Sequence, residues 1–309
     1  MSRTEAKKKP AQIHVLAHSL KRTMARRRLT LADLPRFVVG EGFAGLEISD
    51  RQLAGRDRDW LDGFSQSCRA AKCALIVDIN VDFTAAAERI REQEIAHAER
   101  MIDIASRLGA SAMRICIGGQ KLTVQKLFRK NRGIAGAAAE SLWKARSENL
   151  LMRCGHLFRS NRPARLGGTA EKLKRAIACL KKITPIAGTR RLRLGIENHW
   201  GISGDPENIV RIVTEVGSPY LGTCPDTGNF PRRVDPQAAL TRLAPSAVIL
   251  HAKSYAFQPD GEEKRIDYQR VLTLFRLAGF SGPITVEYEG LGNDFEGCRR
   301  TRDLILKHW

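Results

Sequence analysis

No stretch of this 309-residue sequence approaches the roughly 20 consecutive apolar residues that a bilayer-spanning helix needs. The seven cysteines are odd in number and contain no C-x-x-C pair, which excludes a tidy disulfide framework and points to a reducing, cytoplasmic compartment. The opening MSRTEAKKKPAQIHVLAHSL has a charged head, but its apolar stretch is short and broken by His14 and His18, so it is not read as a secretory signal. The G-x-G-x-x-G that follows the first strand of a dinucleotide-binding domain is missing. Acidic residues are few, 33 against 52 Lys and Arg, for a formal charge of +19.

That charge is not spread evenly. Residues 1–30 carry nine Lys/Arg and one acid, and residues 120–194 carry nineteen Lys/Arg and three acids. The stretches 31–119 and 195–309 are slightly acidic, so a nearly neutral body bears two basic segments. Such segments attract nucleic acid, an anionic surface or an acidic partner, or simply form a solvated basic face.

Hydrophobic residues make up 43% of the chain, enough for a sizeable core in one large α/β domain or two ordinary ones. Short apolar runs alternate with longer helical patterns. IHVLA (13–17), GLEIS (45–49), CALIVDI (73–79), SAMRICI (111–117), LRLGIEN (192–198), YLGTCPD (220–226), AVILHA (247–252) and PITVEYE (283–289) read as strands. Between them lie helix patterns such as Phe83–Leu108, closed by Gly109, and one opening at Asp205-Pro206, an N-cap followed by Pro at the first helical position. Strands apolar on both faces and alternating with helices imply a parallel sheet. Eight such units predict an α/β fold of the TIM-barrel type, a (β/α)₈ barrel over residues 13–309 preceded by a basic tail at 1–12; an open doubly wound sheet is the rival. The segment 118–168, about fifty residues after the fourth strand, is too long for a βα loop and reads as an inserted basic helical segment.

Polar side chains close four consecutive strands. Glu197 ends the fifth, Asp226 the sixth, His251 the seventh and Glu287 the eighth. In a barrel these ends converge on one rim. Three carboxylates gathered there repel one another unless a cation joins them, and with an imidazole they can hold a divalent ion while leaving positions open.

The segments GIENHWG, PDTGNF, LHAKSY and ITVEYEG, in that order, resemble the sugar phosphate isomerase/epimerase family of the xylose isomerase-like TIM barrel superfamily. The likeness is best from Leu192 to the C-terminus, looser over 13–117, and absent from the first dozen residues and the insertion. It implies a barrel with one divalent metal, Mn²⁺ first, with Mg²⁺, Co²⁺ or Zn²⁺ as alternatives. The implied ligands are Glu197, Asp226, His251 and Glu287, with Glu197 and Glu287 facing the substrate as an acid/base pair. Arg114, His199, Asn229, Lys253 and Glu47 become substrate contacts, Asp78 less so, and Glu289 lies behind the ligands. Arg114 can equally be a partner of a ligand carboxylate, and Lys253 and His199 exposed rim residues.

Such a site suits a sugar-like hydroxycarbonyl substrate. Removing a proton beside a carbonyl makes an enediolate whose charge a divalent cation stabilises, and two carboxylates on opposite faces then give isomerisation or epimerisation. Loss of a neighbouring hydroxyl gives a lyase or dehydratase reaction, as on a ketocyclitol, from the same site. The superfamily also holds AP endonucleases, DNA repair enzymes with a three-zinc cluster. Here Asn229 stands where that pattern wants His, the second to fourth strands end without His, and HAKSY offers one His, which disfavours a trinuclear site. A non-catalytic barrel with a nucleic-acid-binding arm is a further rival, although 120–194 lacks interleaved aromatics beyond Phe128, Trp143 and Phe158. GLGND (290–294) can cradle a phosphate or form a tight turn. Barrels of this kind often pair, so a homo-oligomer is compatible with the resemblance.

Overall fold

The computed structural model describes residues 11–118 and 166–309. The tail expected at 1–12 and the insertion expected at 118–168 fall almost wholly outside the described residues. Eight parallel strands form one sheet: β1 Ile13–Leu16, β2 Gly45–Ser49, β3 Ala74–Asn80, β4 Ala112–Cys116, β5 Arg193–Glu197, β6 Leu221–Cys224, β7 Leu250–Ser254 and β8 Ile284–Tyr288. Successive strands pair from β1 to β6, β7 pairs with β8, and β8 returns to β1. The remaining seam, β6 against β7, is closed by the bridges Thr223–Ala247 and Asp226–His251. Across it Val248 N–H donates to Thr223 O (2.8 Å), His251 N–H to Pro225 O (2.8 Å) and Thr227 N–H to His251 O (3.1 Å). Between the first two bonds one strand advances two residues and the other three, so the seam holds an extra residue in the manner of a bulge. The eight-unit reading of the sequence is thus the observed architecture.

The two faces of the barrel wall differ. Outward residues such as Val15, Leu46, Ile48, Val77, Ile79, Met113, Ile115, Leu194 and Ile196 join the helices in one continuous apolar core. Inward positions alternate with them and, apart from Ile76, are small or polar: Gly45 and Glu47, Asp78, Arg114 and Cys116, Gly195 and Glu197. A separate apolar cluster of Ile76, Ala112, Cys224, Val248 and Ile249 fills only part of the interior. Barrel interiors are usually packed with branched aliphatics. Here much of that volume is given to charge.

Local chemistry sets the helix starts on the βα side. Asp205, Asp235 and Asp267 accept hydrogen bonds from Glu207 N (3.1 Å), Gln237 N (3.0 Å) and Arg270 N (2.9 Å), capping Pro206–Val216, Pro236–Leu243 and Tyr268–Leu277. The helix expected from Phe83 instead begins at Glu88. Asp82 turns back to Thr84, and the Ala85 and Ala86 carbonyls accept from Arg91 Nη1 (2.8 Å each). Among the described residues no helix is long and apolar enough to cross a membrane. The six described cysteines are all buried and free. Part of the first basic segment is engaged within the fold: Arg26 Nη2 lies 3.2 Å from the buried Asp294 carboxylate, and Thr23 Oγ1 donates to it at 2.6 Å.

Two expectations concern the barrel wall. A Cβ added at Gly222 on β6 would stand 2.2 Å from the backbone oxygen of Ser246, which cannot swing aside. Gly222→Ala should therefore destabilise the protein by about 1–3 kcal/mol in chemical denaturation. His14 on β1 is buried with neither ring nitrogen bonded, and burial outweighs the pull of Glu47 to lower its pKa to about 4. Between its unfolded value near 6.5 and about 4, the unfolded chain binds more protons, so stability falls with acidification, by about 3 kcal/mol from this group. His14→Leu should show a correspondingly shallower loss between those pH values; an unchanged slope would remove His14 as its source.

Candidate metal centre

Glu197, Asp226, His251 and Glu287 come together as the strand-end argument requires: one ligand atom from each lies within 4.8 Å of all the others. The first three are essentially inaccessible, and the Glu287 side chain is 12% exposed, so the cluster opens to one side.

Each member has its own support. Glu197 ends β5; its Oε2 accepts from Arg114 Nη1 and from Cys116 Sγ (2.8 Å), and its Oε1 from Asn229 Nδ2 (3.0 Å). Asp226 follows β6 and is clamped by Asn198, which accepts from Asp226 N (2.7 Å) and donates to Asp226 O (3.0 Å). Asp226 Oδ1 accepts from the backbone of Gly228 (2.7 Å) and Asn229 (2.9 Å), while its buried Oδ2 accepts no hydrogen bond. His251 presents Nδ1 to the cluster, 2.9 Å from Glu287 Oε2, and Nε2 to Glu47, 2.9 Å from Oε2. An imidazole with a carboxylate behind it is the usual way a ligating histidine is held in one tautomer and orientation.

The residues expected at the substrate occupy varied positions. Arg114 is 7% exposed and engages three carboxylates: Glu47 (Nε to Oε1, 2.6 Å), Asp78 (Nη2 to Oδ1, 3.2 Å) and Glu197. Glu47 is fully buried between Arg114 and His251. Lys253 is fully buried as well, not at an exposed rim; its Nζ lies 3.3 Å from Asp226 Oδ2, 2.9 Å from Glu287 Oε1 and 3.3 Å from Glu289 Oε1. Asn229 touches Glu197, and His199 stacks on Trp200 with its Nδ1 3.6 Å from Cys116 Sγ. Of these, the partly exposed His199 and Asn229 border the open side. Cys116 and Asn198 were not singled out by sequence; Asn198 adjoins Glu197, but nothing in its spacing marks it as the clamp on Asp226.

The electrostatics follow from burial and pairing. Burial raises Glu47 and Glu197, but His251 and Arg114 for the former, and Arg114 for the latter, outweigh it and hold both at about 2. Glu287, next to Lys253 and His251, is held well below the ordinary carboxylate range. Burial pushes Asp226 up to about 8 despite Lys253, and Asp78 up to about 7 despite Arg114. His251, sandwiched between two carboxylates, is raised to about 10 against its burial, whereas burial lowers His199 to about 4. A buried Asp oxygen that accepts no hydrogen bond and faces only the Lys253 ammonium at 3.3 Å, beside two ionised carboxylates and an imidazole, belongs to a hard oxygen-and-nitrogen donor set that fits a divalent cation. Such an ion favours the ionised form of Asp226 and the neutral form of His251.

A family model described as xylose isomerase-like TIM barrel matches residues 35–307. No sequence among curated proteins matches. Solved structures with the same fold include D-psicose 3-epimerase with D-tagatose from Clostridium cellulolyticum H10, at TM-score 0.69 and 10% identity, covering 96% of this chain and 99% of the other. The 3-keto-D-glucoside 4-epimerase of E. coli gives TM-score 0.67 at 11% identity, covering 96% and 99%. An L-ribulose 3-epimerase gives 0.67 at 14%, covering 96% and 93%.

Proposed function

Because the chain belongs to the xylose isomerase-like TIM barrel family, we propose that it is a divalent-metal-dependent isomerase or epimerase of a sugar or sugar-like hydroxycarbonyl compound. The observation that carries this reading is the buried quartet delivered by four consecutive strands. Glu197, Asp226, His251 and Glu287 would hold the ion, which supplies Lewis acidity toward the substrate's carbonyl and adjacent hydroxyl oxygens. Mn²⁺ is the first candidate, with Mg²⁺, Co²⁺ and Zn²⁺ behind it.

Glu197 and Glu287 are the proton carriers. Both are held ionised, the form needed to take a proton from the carbon beside a carbonyl. The carboxyl so formed can hand that proton to the neighbouring carbon in an isomerisation, whereas epimerisation needs the opposite carboxylate to take up a solvent proton and deliver it to the other face. His199 and Asn229, on the open side, are the direct substrate contacts. Arg114 and Glu47 act one layer behind, fixing Glu197 and His251. Solved structures of similar fold are described as sugar 3- and 4-epimerases, which agrees with this chemistry but does not choose the substrate.

Elemental analysis of untagged protein reconstituted with Mn²⁺, Co²⁺ or Zn²⁺ tests the reading. About one ion per chain is expected, lost in Asp226→Ala, together with uptake of solvent deuterium into an accepted ketose or inosose. Absence of stoichiometric metal under all three conditions would refute it.

A further inference from the structure

Lys253 is the least expected member of this site. It lies on β7 two residues beyond His251, and its side chain is 1% exposed. Its stem packs near Gly228, where a Cβ would come 2.9 Å from Lys253 Cγ. Its backbone is pinned too: N–H donates to Thr227 Oγ1 at 2.9 Å, and the carbonyl accepts from Tyr268 Oη at 2.9 Å. The ammonium can therefore move only through its own torsions. It contacts two of the four candidate ligands, Asp226 and Glu287, and one carboxylate outside the quartet, Glu289, whose side chain is 44% exposed. A monovalent cation inside a carboxylate cluster and a divalent ion bound by that cluster draw on the same oxygens.

We propose that Lys253 is a built-in competitor for the divalent ion: its ammonium holds Asp226 and Glu287 together when no ion is bound, and Glu289 is the carboxylate that keeps it when an ion takes the other two. This rests on the metal reading above and adds to it a device that sets metal affinity. Glu289 is positioned for that role by its place on the chain. It follows β8 two residues after Glu287, so the two carboxylates flank one ammonium without Glu289 belonging to the quartet.

The test is Mn²⁺ affinity, measured by calorimetry and by the paramagnetic resonance signal of free Mn²⁺, on the full chain. Four forms are compared: wild type, Lys253→Met, Glu289→Gln and the double variant, each checked for native circular dichroism. Lys253→Met should bind Mn²⁺ on the order of tenfold more tightly, within the usual span of coupling between two sites. Glu289→Gln should bind about fivefold more weakly, because the displaced ammonium loses its remaining partner. In the Lys253→Met background the Glu289→Gln change should have little effect, whereas a mere loss of negative field would persist there. Equal or weaker binding by Lys253→Met overturns the proposal while leaving the metal centre standing. So does undiminished binding by Glu289→Gln, a measurement that stands even if Lys253→Met fails to fold. Binding by Lys253→Met alone supports the competition and refutes the metal-dependent activity of the wild type. Binding by none of the forms overturns both.

Discussion

Glu287→Gln should lower turnover by about 10³-fold or more while leaving the barrel folded, since general acid–base catalysis alone contributes roughly 10²–10⁴. The amide has the shape of the carboxylate, so its Oε can still accept one of the bonds now made by His251 Nδ1 and Lys253 Nζ (2.9 Å each). What it loses is the ability to take a proton and the charge that helps hold a divalent ion. The check is solvent-deuterium incorporation into whichever ketose or inosose the wild type accepts, with near-ultraviolet circular dichroism as the control. Undiminished incorporation would remove Glu287 from the reaction. Asp226→Ala differs in kind: it should abolish stoichiometric metal, so the two variants separate a proton carrier from a residue that only binds.

The largest effect on stability is expected at Arg114. Its guanidinium serves Glu47, Asp78 and Glu197 from the middle of the barrel, and the first and third of these carboxylates are held at about 2. Arg114→Met leaves Glu197 buried without the guanidinium that holds it and Glu47 with His251 alone, and breaking a buried pair in this way typically costs about 3–5 kcal/mol. Lysine should not restore the loss, because a single ammonium cannot match the fork that reaches three acceptors. Urea denaturation at neutral pH measures both variants. A loss under about 1 kcal/mol for Arg114→Met would show that water, not the guanidinium, solvates this cluster.

The fold was legible because each strand is an apolar run and each helix a separate pattern with its own stop signal, such as Gly109 after Leu108. The quartet was legible because Glu197, Asp226, His251 and Glu287 each break such a run at its end. Inward orientation was not legible. A strand buried on both faces does not reveal which alternate residues point into the barrel, so Glu47 and Asp78 could be placed at the rim but not behind it, and Arg114 stayed open between a substrate contact and the partner of a ligand carboxylate, which it is. Lys253 shows the same blindness: a lysine after a strand usually faces water, and only the packed interior shows its ammonium to be enclosed. The onset at Glu88 escaped because Ala85–Ala87 favour helix, and what opposes it is the Asp82–Thr84 turn and the bonds from Arg91 to the Ala85 and Ala86 carbonyls. Cys116 and Asn198 carry no spacing signal; their roles exist only across strands.

The seam between β6 and β7 has a consequence for how the molecule comes together. Asp226, just past β6, and His251 on β7 are themselves bridge partners across it, at the one seam joined by isolated bridges instead of a continuous ladder. The contact that shuts this seam is therefore also the contact that brings half of the quartet together. A ion gripping both residues would act as a clasp on the barrel, so loading should slow amide exchange most at Val248, His251 and Thr227, whose N–H groups bond across that edge.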